Sequence, residues 1–186
     1  MFKKKWMFVI ILLLISAFAF KGTNQNCFSV NVHAASAKKK ALKAYKKMLS
    51  KKKLRINVEG ANTVRTSKLS FAVAYIDNNS VPELILKRTD DDEIGFNCHD
   101  LFYIYRKGKT KRLTASYGNV SMTGYYYKKT GFFEVYEDGD DFYLKLENGK
   151  LNYKEPNQVE WETSGVNKRK LSFHKNTAKN RRKYLK

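Results

Sequence analysis

The sequence predicts an α+β protein in which a basic amphipathic helix precedes an antiparallel β-meander. Apolar residues recur at helical spacing before residue 50, and the hydrophobic period changes to two from Ser67 onward. Turn-forming residues then separate short apolar runs at intervals of about ten residues. The chain has 186 residues with 42% apolar content, which is typical of one folded domain with extensions.

Residues 1–34 are predicted to be a signal peptide. Three lysines, Lys3–Lys5, precede an uncharged run of 15 residues over 6–20. That run fits the core of a signal peptide and is shorter than the ~20 residues that span a bilayer. Small residues at the −3 and −1 places, Val32 and Ala34, favour cleavage between Ala34 and Ala35. The sequence therefore predicts export.

Two alternatives to this cleavage stay open. The first is cleavage after Ala37. The second is an uncleaved N-terminal membrane anchor, because the polar stretch 21–33 is long for a signal peptide. With cleavage after Ala34 only Cys98 remains, so no intramolecular disulfide can form. Low cysteine usage favours a Gram-positive type of export, with a secreted or cell-envelope location.

Residues 35–66 are predicted to form a basic helix and a linker. Lysines occupy one face of the helix and a narrow apolar stripe occupies the other. The stripe consists of Ala41, Leu42, Tyr45, Met48 and Leu49. We expect it to dock on the body of the protein. The alternative is a basic helix that lies on an anionic membrane surface.

Residues 67–165 are predicted to form the antiparallel meander, with about seven or eight short strands in a curled sheet or a partial barrel. Asn148-Gly149 and Asp138-Gly139 are strong signals for two-residue hairpin turns, because glycine adopts positive φ without steric cost. After Pro156 the alternation weakens. Residues 166–186 are predicted to be a basic C-terminal segment that can form a last helix.

The formal charge of +20 is concentrated in two cationic arms. Residues 36–55 hold ten Lys or Arg and residues 168–186 hold nine, with no acid in either arm, whereas 56–167 has a net charge of −3. The predicted polymer-binding residues are Lys38, Lys39, Lys40, Lys43, Lys46, Lys47, Lys51, Lys52, Lys53, Lys168, Arg169, Lys170, Arg181, Arg182 and Lys183. The expected partners are anionic cell-wall polymers or a membrane surface, bound in a salt-sensitive way, without specific nucleic-acid recognition.

The stretch 74–86, AYIDNNSVPELIL, places oxygen-bearing groups at the spacing of a calcium loop. Asp77, Asn79, the Val81 carbonyl and Glu83 are the candidate ligands, whereas calcium takes six to eight oxygens. The alternative is a hairpin turn in which Asp and Asn side chains cap their own backbone and Glu83 is exposed. Calcium is thus an optional ligand, and no cofactor is required.

This loop and the preceding helix resemble those of exported Gram-positive (Clostridia-type) proteins of unknown function. In these proteins a D-x-D-x-D-G-x-P-E-L loop follows an AYKKxL helix, and the loop is similar to the calcium loops of FG-GAP/VCBS and dockerin-like modules. Asp77, Asn79 and the Pro82–Leu84 triplet match the pattern, whereas Tyr75 and Ser80 replace an aspartate and the glycine. The resemblance gives no information about activity. With two carboxylates and one amide, a calcium site here is expected to be weak, with a dissociation constant of ~10⁻⁴–10⁻³ M.

No catalytic constellation emerges from the sequence. In a strand Cys98 and His99 would point to opposite faces, so the pair does not predict an activated thiol. The acidic block 90–93 fits a solvated loop. We therefore predict a non-catalytic binding or accessory domain. The alternative is an enzyme acting on wall glycans, in which Glu83 would work with Asp77 or an acid of 90–93 at ~5–10 Å.

Overall fold

The computed structural model describes residues 25–58, 61–88, 100–113, 121–137 and 140–186. The chain divides into two compact units, Met1–Ser36 and Ala37–Lys186. The first unit is helical from Gln25 onward. No helix in the described part of the chain is long and apolar enough to cross a membrane. The predicted signal-peptide core lies outside the described residues.

Three α-helices and twelve strands are present in the described residues. In chain order they are α1 Gln25–Leu49, β1 Lys53–Val58, β2 Ala61–Arg65, β3 Leu69–Ala74, β4 Glu83–Arg88, β5 Leu101–Arg106, β6 Lys109–Leu113, β7 Ser121–Tyr127, β8 Phe132–Glu137, β9 Asp140–Glu147, β10 Lys150–Lys154, α2 Pro156–Glu162, β11 Lys168–Lys170, β12 His174–Lys175 and α3 Ala178–Tyr184. The broad α+β prediction agrees with this composition.

The strands form three separate antiparallel sheets. β1 and β2 make a hairpin, the central sheet has the order β12-β3-β4-β5-β6, and the outer sheet has the order β10-β9-β8-β7-β11. The prediction of one meander that curls into a partial barrel is therefore wrong. The predicted linker contains the β1–β2 hairpin, and the C-terminal segment supplies β11 and β12 as edge strands.

The central sheet is buried on both faces, which explains why the chain forms layers. Alternate residues of a strand point to opposite faces. Ala72, Ile85 and Ile104 pack toward the outer sheet in one cluster with Phe133 and Leu144. Phe102 and Phe133 stack across these two sheets with ring centroids 4.9 Å apart. A sheet with two apolar faces needs a covering layer on each side.

The other face of the central sheet is covered by residues 41–49 of α1 and by the β1–β2 hairpin. Phe71, Leu84 and Leu86 belong to this second cluster. The apolar stripe of α1 packs there, with Ala41, Leu42, Tyr45 and Leu49 buried and Met48 partly buried. The predicted docking of the stripe is confirmed. Burying an apolar side chain of leucine size contributes about 1.5–3 kcal/mol, so this face stabilises α1 strongly.

The predicted turn at Asn148-Gly149 is confirmed. Both residues have positive φ, 51° and 78°, and they connect β9 and β10 in register. These angles match the two-residue turn that suits the twist of a hairpin. The second predicted turn, Asp138-Gly139, lies outside the described residues.

Candidate functional site

The two cationic arms meet in a cleft of about 530 Å³, which we call the basic cleft. Its walls are the end of α1, the segment 50–53, the turn 65–67, and two residues of the C-terminal arm, Asn176 and Arg181. The segment 50–53 follows α1 directly and leads into β1, which pairs Lys53 with Arg65 of β2. This pairing brings the two edges of the cleft together.

Asn176 joins the two arms. It is 7% exposed, and its Nδ2 donates hydrogen bonds to the carbonyl oxygens of Leu49, at 3.0 Å, and Thr66, at 2.8 Å. Its Oδ1 accepts a hydrogen bond from Nη1 of Arg181 at 2.8 Å. The amide of Asn176 therefore satisfies buried carbonyl groups and orients the guanidinium at the same time.

The basic cleft is strongly positive. Lys51, Lys52, Lys53 and Arg65 are exposed, and none of the described residues that line the cleft is acidic. Thr66 closes the inner end, because its Oγ1 donates a hydrogen bond to the carbonyl oxygen of Lys51. Exposed lysines near a positioned guanidinium suit a phosphate-bearing ligand, since arginine binds phosphate in a fork and lysine as a point charge.

The remaining predicted binding residues are distributed over other surfaces. Lys38, Lys39, Lys40, Lys43 and Lys47 are exposed along α1 and Lys46 is half-buried. Lys168, Arg169 and Lys170 form β11 at the edge of the outer sheet. Lys168 forms an ion pair with Glu134, which neutralises its charge. Arg182 and Lys183 are exposed on α3.

Residues 75–82 connect β3 to β4, and this segment, which we call the Asp77 loop, is held by its own side chains. Asp77 Oδ1 accepts a hydrogen bond from the Asn79 N–H at 3.0 Å, and Asn79 Oδ1 accepts one from the Val81 N–H at 2.6 Å. Asp77 Oδ2 lies 3.7 Å from Nη2 of Arg106. These contacts are the backbone caps expected of Asp and Asn in a turn.

The expectation that Glu83 is exposed in such a turn is wrong. Its side chain is buried, with the residue 3% exposed, and Oε2 accepts a hydrogen bond from the Ile76 N–H at 2.8 Å. Burial, followed by the charge of Asp77, raises the pKa of Glu83 to about 8. Burial also raises the pKa of Asp77, and the hydrogen bond from the Asn79 N–H, followed by the charge of Arg106, counteracts this effect. Glu83 is therefore the member of the pair that holds a proton near neutral pH.

Tyr45 of α1 lies against the same loop. Its hydroxyl donates a hydrogen bond to the carbonyl oxygen of Pro82 at 3.0 Å, and its side chain is fully buried. Burial, with the charges of Glu83 and Asp77, raises the pKa of this phenol. Tyr45 stays protonated and connects the helix to the loop, so the loop supports the α1 layer.

Calcium binding at this loop stays a prediction, and the geometry shows what it would displace. A bound ion would compete with Arg106 for Asp77 and with the Ile76 N–H for Glu83. The described residues contain no group of three or more His, Cys, Asp or Glu side chains that could hold a metal ion. The acids of the block 90–93 lie outside the described residues.

The enzyme alternative requires two acids in one cleft. Asp77 lines a polar cleft of about 450 Å³ together with Arg106, Lys129 and Glu147. Glu83 does not line this cleft and faces the Ile76 amide instead. The predicted couple of Asp77 and Glu83 therefore does not present both carboxyl groups to one described opening. Cys98 and His99 lie outside the described residues.

Three residues of interest are not indicated by the sequence patterns. Asn176 and Arg65 complete the basic cleft, and Trp161 of α2 is 82% exposed. Asn176 lies between Lys175 and Thr177, and this polar context gives no sign that its side chain is buried. Only the alternation of charged and apolar residues before Ser67 could have indicated the β1–β2 hairpin and thus the position of Arg65.

No protein-family model matches the chain, and the comparisons with curated proteins and with solved structures also give no match. The resemblance to exported Gram-positive proteins consequently stays a prediction.

Proposed function

We propose that this protein is an exported, non-catalytic binding domain of the cell envelope, and that the basic cleft binds an anionic wall polymer. The observation that supports the proposal is the meeting of the two cationic arms around Asn176 and Arg181. The ligand would be a phosphodiester polymer of the teichoic-acid type, which carries one negative charge per repeat. The Asp77 loop is structural in this proposal.

The arrangement of charge favours a polymer over a single small ion. The cleft offers four exposed cations, and further exposed lysines continue along α1, including Lys43 and Lys47. A row of cations attracts successive phosphates of one chain, and the attraction decreases as salt shortens the Debye length. The ordered guanidinium of Arg181 adds a fixed point of contact, since its Nη1 is held 2.8 Å from Asn176 Oδ1.

The test is sedimentation of the purified protein with Gram-positive cell walls. We expect retention in low salt and release in ~0.5 M salt, where the Debye length is only a few ångströms. Walls stripped of their phosphate polymers should retain at least tenfold less protein. Retention that does not change with salt, or that is equal on stripped walls, would overturn the proposal.

A matched pair of charge reversals locates the binding surface. The double variant Lys52→Glu/Lys53→Glu changes the cleft, and Lys109→Glu/Lys111→Glu changes exposed lysines of β6 by the same charge. We expect the cleft variant to lose at least tenfold more wall affinity than the β6 variant. Equal losses would show that net charge alone holds the protein to the wall.

A further inference from the structure

A second cavity lies at the other end of the contact between α1 and the C-terminal arm. Its volume is about 360 Å³, and we call it the ring cavity. Its floor is apolar and buried, formed by Leu42, Phe71 and Pro82. Cavities of about 300–1,000 Å³ with apolar floors and a few polar groups are typical of small-molecule sites.

Half-buried aromatic rings form the walls of the ring cavity. Tyr75, His174 and Tyr184 line it, and the rings of His174 and Tyr184 are parallel, with centroids 3.6 Å apart. Phe71 meets His174 edge to face at 6.1 Å. Burial, followed by Lys183, lowers the pKa of His174, so the imidazole is neutral at pH 7. Tyr184 stacks on His174 and has Lys183 Nζ 5.0 Å from its own ring centroid, so the half-buried rings of Tyr75 and His174 are the ones best placed to contact a planar ligand.

The rim of the ring cavity is positive. Lys38 and Lys186 line it and are exposed, and Nζ of Lys38 lies 5.6 Å from the centroid of the Tyr75 ring. The described lining contains no Asp or Glu side chain. An apolar floor with aromatic walls below a cationic rim complements a molecule that combines one ring with an anionic group.

We propose that the ring cavity binds a small aromatic anion, with its ring against the half-buried rings of Tyr75 and His174 and its charged group near Lys38. The inference is independent of the wall-polymer proposal, because the basic cleft shares no residue with this cavity. Ring stacking and apolar contact would supply affinity, and the lysine would orient the anionic group.

The test is an NMR titration of the purified protein with three probes. Phenyl phosphate carries the ring and the charge, inorganic phosphate carries only the charge, and phenol carries only the ring. We expect phenyl phosphate to bind at least tenfold more tightly than either other probe, with saturable shifts at the amides of Tyr75 and His174. Equal affinity for inorganic phosphate, or shifts centred on Asn176 instead, would overturn the inference.

Two variants with matched controls localise the binding. Ser172→Trp fills the cavity from its exposed rim, and Ser164→Trp adds the same ring at an exposed position outside the cavity lining. Lys38→Glu reverses the rim charge, and Lys39→Glu reverses a neighbouring exposed charge. We expect at least tenfold weaker binding of phenyl phosphate only for Ser172→Trp and Lys38→Glu. The assignment would be contradicted if Ser164→Trp or Lys39→Glu weakened the binding of phenyl phosphate as much as its partner variant does. Unchanged binding in Ser172→Trp would also contradict it.

Discussion

The buried carboxyl group of Glu83 accepts a hydrogen bond from the backbone N–H of Ile76 at 2.8 Å. This bond joins the two ends of the Asp77 loop. Ile76 also accepts a hydrogen bond through its carbonyl oxygen from the Gly131 N–H at 2.7 Å, which ties the loop to the turn between β7 and β8. Glu83 of the central sheet is thus linked through Ile76 to the turn that leads into β8 of the outer sheet.

Replacing Glu83 by glutamine should change how stability depends on pH. The pKa of Glu83 is raised from 4.5 to about 8 in the folded chain. Between pH 4.5 and about 8, the folded state holds a proton on Glu83 that the unfolded state has released. The Glu83 contribution is therefore present at low pH and lost as pH rises toward 8, by up to about 1.4 kcal/mol per pH unit. A glutamine side chain cannot ionise, but it keeps an acceptor for the Ile76 N–H.

Denaturant unfolding at pH 5 and pH 8.5 measures this effect. We expect E83Q to match the wild type within about 1 kcal/mol at pH 5 and to exceed it at pH 8.5. His174 acts in the opposite direction, because its lowered pKa favours folding as pH rises, so the difference between the two proteins is the quantity to compare. Glu160→Gln, at an exposed position of α2, is the control. Parallel pH profiles for E83Q and wild type would contradict the prediction.

Calcium should not raise the melting temperature. Arg106 already faces Asp77, and the Ile76 N–H already occupies an oxygen of Glu83. A site with a dissociation constant of ~1 mM would add about 1 kcal/mol at 5 mM calcium, or about 2–4 °C for a domain of this size. Melting in EDTA and in 5 mM calcium decides the question. A rise of that size would establish the calcium loop.

Local sequence signals predicted local structure well. The stripe of α1 and the Asn148-Gly149 turn follow from spacing and from backbone sterics, which depend on a few neighbouring residues. The layered arrangement could not be predicted from the sequence. The two apolar faces of the central sheet are formed mainly by β3, β4 and β5, and the sequence pattern of each strand is read separately. A strand that is apolar on both faces reads as one continuous buried run, so the pattern does not show that the predicted meander divides into the central sheet and the outer sheet.

For the basic cleft, the sequence predicted most of the cationic residues that are involved but not where they meet. Runs of lysine identified the arms, but their meeting depends on the side chain of Asn176, which lies 127 positions from Leu49. Long-range contacts of this kind leave no periodic signal. The burial of Glu83 was missed for a similar reason, because the Tyr45 helix that covers the loop lies far from it in sequence.

Gly131 should tolerate alanine poorly. It has φ of +93°, and a Cβ there would lie 2.9 Å from the carbonyl oxygen of Leu146. Gly124 has nearly the same φ, +94°, with nothing within 4 Å of a Cβ, so Gly124→Ala shares the backbone strain without the clash. We expect Gly131→Ala to lower the unfolding free energy by about 2 kcal/mol more than the control. Equal losses in denaturant unfolding would show that the turn can move.

Asn176→Ala should weaken both the fold and wall binding at unchanged net charge. The change leaves the buried carbonyl oxygens of Leu49 and Thr66 without their donor, at a cost of about 2–4 kcal/mol in unfolding free energy. It also removes the Oδ1 acceptor that lies 2.8 Å from Nη1 of Arg181 and leaves only the 3.4 Å hydrogen bond to the carbonyl oxygen of residue 176, so the guanidinium is held less firmly. Lys179→Ala, an exposed change on α3, removes a charge and should cost less in both measurements. Because Asn176 is neutral, wall affinity that stays at the wild-type level in folded Asn176→Ala protein would mean that diffuse charge holds the polymer.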